Sequence, residues 1–251
     1  MNDISFGIKK WQACTSYFDQ LPDQHIDVPN GALHIAQDLS LQPSSIKPML
    51  RRRLSPLGKF TLWCADQVLA TEDGDERARR SSMPCVFASQ HGEVGRTTDI
   101  LDLYAQEQGV SPTAFSLSVH NAIAGIYSIA NGLKGNILAT AAGDLTLPMG
   151  LLEAASLLKS DVYDEVLCVI YDQNIPDKLK TGPVAPDFDF AIALLLDKTS
   201  PLQLRFSSTD DKNDSKEQEH PFLPFTRLLL SSTTEIQVLN FRHWRVEKHL
   251  G

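Results

Sequence analysis

The chain has 251 residues, 42% of them hydrophobic, and a formal charge of −8 at pH 7. This length is enough for one large domain, while the acidic balance and the lack of a basic run longer than Arg51–Arg53 exclude polyanion binding as the main role. No apolar run approaches the ~20 residues of a membrane helix, and the first residues lack the pattern of a secretory signal. We therefore expect a cytoplasmic protein whose four isolated cysteines are reduced and buried.

The spacing of apolar residues predicts strands that alternate with helices along most of the chain. A strand opens the sequence near Ile4–Cys14, residues 22–48 favour loops because they are rich in proline, and 71–82 is a charged surface loop. The later predicted elements are a helix from Leu57, a strand at Pro84–Ser89, helices at Glu93–Gln108 and from Pro112 to Ala130, a strand at Ile137–Ala141, a helix at Pro148–Lys159, strands at Val166–Tyr171, Phe190–Leu196 and Leu202–Phe206, a helix near Phe222–Leu230, and strands within Glu235–Val246. This order predicts an α/β domain with a mixed, mostly parallel sheet flanked by helices.

Residues 1–251 are predicted to form a single domain, since no repeat or linker divides them. Within it, the segment 209–219 is polar throughout, and we expect a mobile loop there. The cysteines and histidines show no spacing typical of a metal site, and no glycine-rich phosphate loop or serine elbow is present. We therefore predict neither a metal nor a cofactor.

The most informative stretch of the sequence runs from Ser111 to Tyr171. It contains Asn-Ala-Ile-Ala-Gly at 121–125, Ser-Ile at 128–129 and Gly-Leu-Lys-Gly at 132–135. These motifs resemble the N-terminal domain of β-ketoacyl synthases, which extend acyl chains on acyl carrier protein. The similarity covers roughly residues 55–172. The resemblance implies a thiolase-like half-fold, truncated relative to full ketosynthases, so that residues 1–251 form one ketosynthase-like domain.

The catalytic cysteine of that family has no counterpart in this chain. In the family it heads a buried helix, whose N-terminus stabilises the thiolate. Ungapped matching places Asp144 at this position, and no cysteine lies between Cys85 and Cys168. An aspartate cannot carry an acyl thioester, whereas a carboxylate at a helix start is a common structural cap. The histidines after Asp144, which lack the small-residue turns of the family's catalytic histidines, are His220, His243 and His249.

The resemblance therefore implies a degenerate ketosynthase, similar to the chain-length factors of aryl polyene and related type II pathways. We predict a non-catalytic subunit that forms a heterodimer with an active β-ketoacyl-ACP synthase, shapes its acyl tunnel and contacts acyl carrier protein transiently. The positions that the resemblance assigns to the tunnel or interface are Thr113, Ala114, Phe115, Leu117, His120 and Asn121. Among them, Phe115 is either a tunnel-ending side chain or a core anchor.

Two other functions stay open at this stage. The chain could be a stand-alone enzyme that processes acyl thioesters, with Asp144 and His120 in acid/base roles. It could also be a non-enzymatic binder of acyl carrier protein or acyl chains, with the basic segments Arg51–Arg53 and Arg77–Arg80 facing the acidic carrier. Basic surface segments more commonly meet only water.

Overall fold

The computed structural model describes residues 3–70, 76–180, 186–208, 219–241 and 244–250. The strands are β1 (Ile4–Thr15), β2 (Gln24–Val28), β3 (Gly31–Ile35), β4 (Cys85–Ala88), β5 (Ile137–Thr140), β6 (Val166–Asp172), β7 (Phe190–Asp197), β8 (Leu202–Ser208), β9 (Gln237–Phe241) and β10 (Trp244–Leu250). The helices are α1 (Pro48–Arg51), α2 (Pro56–Leu69), α3 (Glu76–Ser82), α4 (Val94–Ala105), α5 (Pro112–Ser116), α6 (Ala122–Asn131), α7 (Thr146–Lys159) and α8 (Phe222–Leu230). A 3₁₀ turn at Gly143–Leu145 leads into α7.

All ten described strands join one mixed sheet. Its main path runs β5-β4-β6-β7-β1-β8-β10-β9, and the β2–β3 hairpin lies beside the second half of β1. Pairing is parallel between β4 and β5, β4 and β6, and β1 and β3, and antiparallel in the other described pairs. The mixed α/β sheet is therefore confirmed, but it is less parallel than predicted. Strands joined by very short connections, such as β9 and β10, can pair only in antiparallel fashion.

Helices cover both faces of the sheet and create a separate core on each. On one face the core includes Phe60 of α2 and Tyr127 of α6, and on the other it includes Leu151 of α7 and Phe225 of α8. Between them β6 is buried along its whole length, with alternate side chains in the two cores. The doubly buried strand predicted from the apolar run is thus confirmed.

The four cysteines lie inside these cores as free thiols, as predicted. Burial raises the pKa of the Cys85 thiol to about 12 and also raises the pKa values of Cys64 and Cys168. A buried thiol with a raised pKa is a poor nucleophile at neutral pH. These side chains therefore act as small apolar core groups.

Two segments predicted as loops contain regular structure. Residues 22–48 include the β2–β3 hairpin, whose strands are joined by the two-residue turn Pro29-Asn30. Part of the predicted charged loop at 71–82 is the helix α3, while 71–75 lies outside the described residues. The Arg79 side chain binds Glu165 and the Arg80 side chain binds Asp66, so long-range ion pairs hold this charged helix. Glu165 and Asp66 are distant in sequence from α3, so local sequence patterns do not predict these ion pairs.

The predicted helix after Pro112 is interrupted. Its first part is α5, which ends at Ser116, and its second part is α6, which begins at Ala122. The predicted mobile loop at 209–219 lies outside the described residues except for Glu219, which binds Arg227 at 2.8 Å. The remaining predicted helices and strands are present with end shifts of a few residues.

The helix α7 approaches the sheet closely at Gly150. A Cβ atom on Gly150 would lie 2.6 Å from Cβ of Ala88 and 3.7 Å from Cγ1 of Ile170. The absence of a side chain at Gly150 therefore lets α7 pack directly on β4 and β6.

We expect Gly150→Ala to lower the free energy of unfolding by about 1–3 kcal/mol, because the new methyl group would overlap Ala88. The matched control is Gly125→Ala in α6, where a Cβ atom would meet nothing within 4 Å. That change should be neutral or stabilise the protein by up to about 1 kcal/mol, since alanine favours a helix. Urea unfolding measures both, and equal stability of the two variants would contradict the close approach.

Candidate functional site

The site lies where the parallel strands β4 and β6 end side by side. Ser89 directly follows β4, and Asp172 is the last residue of β6. The Ser89 hydroxyl donates a 2.8 Å hydrogen bond to Oδ1 of Asp172. The backbone N–H groups of Gln90 and His91 donate to the same carboxylate at 2.8 and 3.0 Å. Burial raises the pKa of Asp172, and these hydrogen bonds oppose that shift.

Asp144 lies beside this loop, in the 3₁₀ turn that leads into α7. The Thr146 hydroxyl orders the turn, because it accepts a hydrogen bond from the Ala142 N–H at 3.0 Å and donates one to the Gly143 carbonyl at 2.7 Å. Asp144 itself is half-buried in the first turn, a position that favours a carboxylate because of the exposed N–H groups of a helix start. The start of α7 thus carries an acid at the position that ungapped matching assigns to the nucleophile.

Asp144 shares a small cavity with several other polar residues. The cavity has a volume of about 10 Å³, and Gln90, Asp172 and His220 line it together with Asp144. A space of this size holds about one water molecule, which is far below the ~300 Å³ or more of a typical substrate pocket. None of the described residues that line it is a cysteine. The site as it stands has no room for an acyl chain.

His220 is the site residue that the sequence analysis missed. Its ring lies 4.8 Å from the ring of Phe190, between centroids, and its Nδ1 accepts a hydrogen bond from the Phe222 N–H at 3.3 Å. Desolvation, aided by the nearby His91, lowers the pKa of His220 to about 4. The sequence signal that points to a place in the site is the position of His220 immediately before the apolar helix α8.

The helix α8 holds His220 at the cavity because both helix ends are fixed. At its start, the Nδ1 of His220 accepts the hydrogen bond from Phe222. At its end, the buried Lys248 ammonium donates to the Leu228 carbonyl at 2.8 Å and also to the Ser231 carbonyl. A lysine ammonium beside a helix C-terminus binds the carbonyl groups that lack partners within the helix. Lys248 of β10 therefore helps to hold α8, with His220 immediately before it, at the cavity that Asp144 also lines.

The chain matches the family model described as "Beta-ketoacyl synthase, N-terminal domain" over residues 27–245. It belongs to this family. The match includes the loop after β4, the start of α7 and the helix α8, and it confirms the resemblance predicted from the motifs at 121–135. No curated protein matches the sequence.

Solved ketosynthase structures share the fold. A chain in the structure of the ketosynthase ApeO in complex with its chain length factor ApeC from Xenorhabdus doucetiae is 24% identical with a TM-score of 0.72, and the alignment covers 98% of this chain and 99% of that one. The ishigamide ketosynthase/chain length factor is 15% identical with a TM-score of 0.58, and the alignment covers 83% of this chain and 69% of that one. Ketosynthase twelve of the bacillaene polyketide synthase from Bacillus amyloliquefaciens is 14% identical with a TM-score of 0.53. The alignment covers 84% of this chain and 46% of that one. The fold is therefore ketosynthase-like and shorter than that bacillaene ketosynthase.

The ketosynthase-like chain uses His120 to support the loop of the site. The His120 Nε2 lies 2.7 Å from the Ser89 carbonyl oxygen, which accepts its hydrogen bond. A Cβ atom on Gly92 would lie 3.0 Å from Cδ2 of His120, so the ring also packs closely against the loop. His120 is not among the described residues that line the cavity with Asp144. The structure therefore does not bring the two proposed acid/base groups together there.

The other predicted tunnel or interface residues lie on α5 and the turn that follows it. Thr113, Phe115 and Asn121 are exposed, while Ala114 and Leu117 are half-buried. Phe115 has 62% of its surface accessible, so its interpretation as a core anchor was wrong. This segment faces outward from the isolated chain.

Exposed apolar side chains lie on α4, on α6 and on the segment between them, and we call the outer side of these helices the α4–α6 surface. Neither α4 nor α5 has a buried residue, and the edge strand β5 ends the sheet on the side where it contacts α6. The large apolar side chains exposed on the surface are Leu101, Leu103, Tyr104, Phe115, Val119 and Ile129. A helix in a folded monomer normally buries one apolar face, and large exposed apolar patches mark interaction sites. The α4–α6 surface is therefore a candidate partner interface.

In the part of the chain that the structure describes, no helix has both the length and the apolar character to cross a bilayer. Across the same residues, no group of three or more histidine, cysteine, aspartate or glutamate side chains is arranged to hold a metal ion.

We expect the contribution of His220 to the free energy of unfolding to fall as the pH is lowered from about 6.5 to about 4. In the unfolded chain His220 binds a proton near its ordinary pKa of 6.5, whereas in the folded chain it stays neutral down to about 4. Between these two pH values the unfolded state therefore binds more protons than the folded state. The stability that the neutral imidazole contributes above pH 6.5 is lost as the pH falls to about 4. His220→Phe should remove up to about 3 kcal/mol of this pH dependence. Urea unfolding at about pH 7 and about pH 5 measures it, and an unchanged difference would contradict the burial of a neutral imidazole.

Proposed function

We propose that this chain is a non-catalytic subunit that pairs with an active β-ketoacyl-ACP synthase, as a chain-length factor does. In the pair it shapes the acyl tunnel of its partner in polyene or fatty-acid-like biosynthesis, and it meets the acyl carrier protein transiently. The observation that carries this proposal is the combination of a closed site without a thiol and an exposed α4–α6 surface. A ketosynthase fold that cannot act alone but can still assemble fits this role.

The chemistry of the site supports a non-catalytic role. Acyl transfer by this family requires a thiolate that the substrate can reach. Here Asp144 occupies the nucleophile position, and all four cysteines are buried. The cavity of about 10 Å³ also speaks against the alternative of a stand-alone enzyme that uses Asp144, since acid/base catalysis needs a substrate within hydrogen-bond reach.

The similar structures support a ketosynthase as the partner. The ApeO–ApeC structure and the ishigamide structure are both described as a ketosynthase with a chain length factor. This chain and the matched chain of the ApeO–ApeC structure cover each other almost completely, whereas less than half of ketosynthase twelve is covered. A short relative within such a pair is therefore the better comparison for the whole chain.

We expect Ile129→Asp to disrupt assembly with a co-expressed active synthase, because it places a charge in the proposed apolar interface. Ile129 is 70% exposed, so the variant should fold normally. The matched control is Val162→Asp, which alters an apolar side chain of 72% exposure in the loop between α7 and β6, outside the helices of the α4–α6 surface. Gel filtration of the co-purified proteins should show a heterodimer for the control and separate subunits for Ile129→Asp.

Two outcomes would contradict the proposal. The first is a stable monomer that ignores every co-expressed synthase. The second is turnover of acyl- or malonyl-carrier thioesters by the isolated chain, abolished in Asp144→Asn. That result would favour the stand-alone enzyme instead.

We expect Ala114→Phe to shorten the products of the heterodimer, because a ring at this half-buried position would fill space at the end of the tunnel. Phe115→Ala should give longer or mixed products, and because Phe115 is exposed it should change the free energy of unfolding by only about 0.5 kcal/mol. Mass spectrometry measures product length after gel filtration has verified assembly. Unchanged products from both variants would show that this segment does not line the tunnel.

A further inference from the structure

The α4–α6 surface carries acidic side chains among its exposed apolar ones. From residue 97 to residue 133 the chain contains Asp99, Asp102 and Glu107 but neither lysine nor arginine. All three acidic residues are exposed, and α4, which carries the first two, has no buried residue. With histidine neutral, every charged group in this stretch is therefore negative and accessible.

The cations nearest in sequence do not pair with Asp99 or Glu107. Arg96, at the start of α4, binds the buried Glu93 carboxylate through its Nε at 3.1 Å. The next cation along the chain is Lys134, which follows the end of α6. Within the part of the chain that the structure describes, Asp99 and Glu107 therefore keep charges that no lysine or arginine balances.

The acidic residues are placed where they weaken α4. The helix ends at Ala105 with no basic residue in its last turn, which contains Asp102, and Glu107 follows two residues beyond the end. The C-terminal end of a helix carries a partial negative charge, so carboxylates there are unfavourable. Glu107 also has a left-handed backbone with φ of 56°, a conformation that glycine adopts more readily. A cation from outside the chain would offset the electrostatic cost at this end of α4.

We propose that the α4–α6 surface selects its partner by charge: Asp99 and Glu107 bind lysine or arginine side chains of the synthase and repel a second copy of this chain. This inference rests on the proposed function, which supplies the synthase, and it assigns the choice of partner to these two residues.

The symmetry of protein pairs supports this choice. In a two-fold dimer of identical chains the same surface faces itself, so the acidic side chains of the two copies would come together. The exposed apolar side chains favour burial against either partner, because the hydrophobic effect is not directional. Like charges across an interface disfavour one of the two pairs, and opposite charges favour the other.

The first test measures the affinity of the full chain for the synthase that co-purifies with it. We expect the double variant Asp99→Lys/Glu107→Lys to bind at least about ten-fold more weakly, because its cations would face those of the synthase. The matched control is Glu153→Lys/Glu235→Lys, which makes the same change in net charge at exposed positions on α7 and before β9. The helix α7 packs in the core opposite that of α6, and β9 lies at the other end of the sheet from β5. The control should alter the affinity less than about two-fold.

The second test mixes the double variant Asp99→Lys/Glu107→Lys with the wild-type chain in the absence of synthase. Opposite charges would then face each other across the contact, so sedimentation velocity should show a mixed dimer at a concentration where each protein alone is a monomer. High salt should weaken this mixed dimer. The variant should melt no lower than the wild type, since lysine replaces glutamate just beyond the C-terminal end of α4.

Three outcomes would overturn the inference while leaving the heterodimer in place. Equal losses of affinity in the two double variants would show that only net charge matters. A mixture of wild type and Asp99→Lys/Glu107→Lys that stays monomeric would remove the role of like-charge repulsion. So would a wild-type homodimer that Ile129→Asp dissociates, because the acidic residues would then tolerate self-pairing. A synthase that binds neither the wild type nor the control would instead contradict the proposed function, and the inference would fall with it.

Discussion

The buried carboxylate of Asp172 is the interaction on which the site and its surroundings depend. It accepts hydrogen bonds from Ser89, Gln90 and His91, and so joins the end of β6 to the loop after β4. The same loop receives the hydrogen bond of His120 from the segment before α6. A buried carboxylate is costly unless such donors surround it, which makes this junction rigid once it forms. The position of α4 follows from it, because α4 begins directly after the loop.

Two features of this chain differ from what an enzyme that acts alone needs: its cavity is small, and its outer helices are uncovered. Inside, Phe190 and Pro221 help to close the space around Asp144 and His220. Outside, α4 and α5 leave their apolar side chains uncovered. An enzyme that acted alone would require an open cavity and would gain nothing from an uncovered helix face. The two features together support the proposed role of a subunit that acts by assembly.

Much of the fold could be predicted from the sequence because its central elements are local patterns. The doubly buried β6 and the apolar helix α8 were predicted nearly to their ends, since an unbroken apolar run and a helical stripe identify such elements. The helix α3 was missed because its Arg79 and Arg80 are held by Glu165 and Asp66, which are distant in sequence. His220 was missed as a site residue for the same reason. Its role depends on where α8 packs, and its own neighbours do not encode that.

The uncovered helices also have a consequence for the life of the protein in a cell. A newly made chain without its partner would expose Tyr104, Phe115 and Ile129 to chaperones, proteases and other unfolded chains. Under the proposed function, its half-life would therefore depend on how quickly a synthase subunit covers them. Under this constraint, unequal synthesis of the two subunits would be corrected by degradation of the surplus, and the abundance of one would set that of the other.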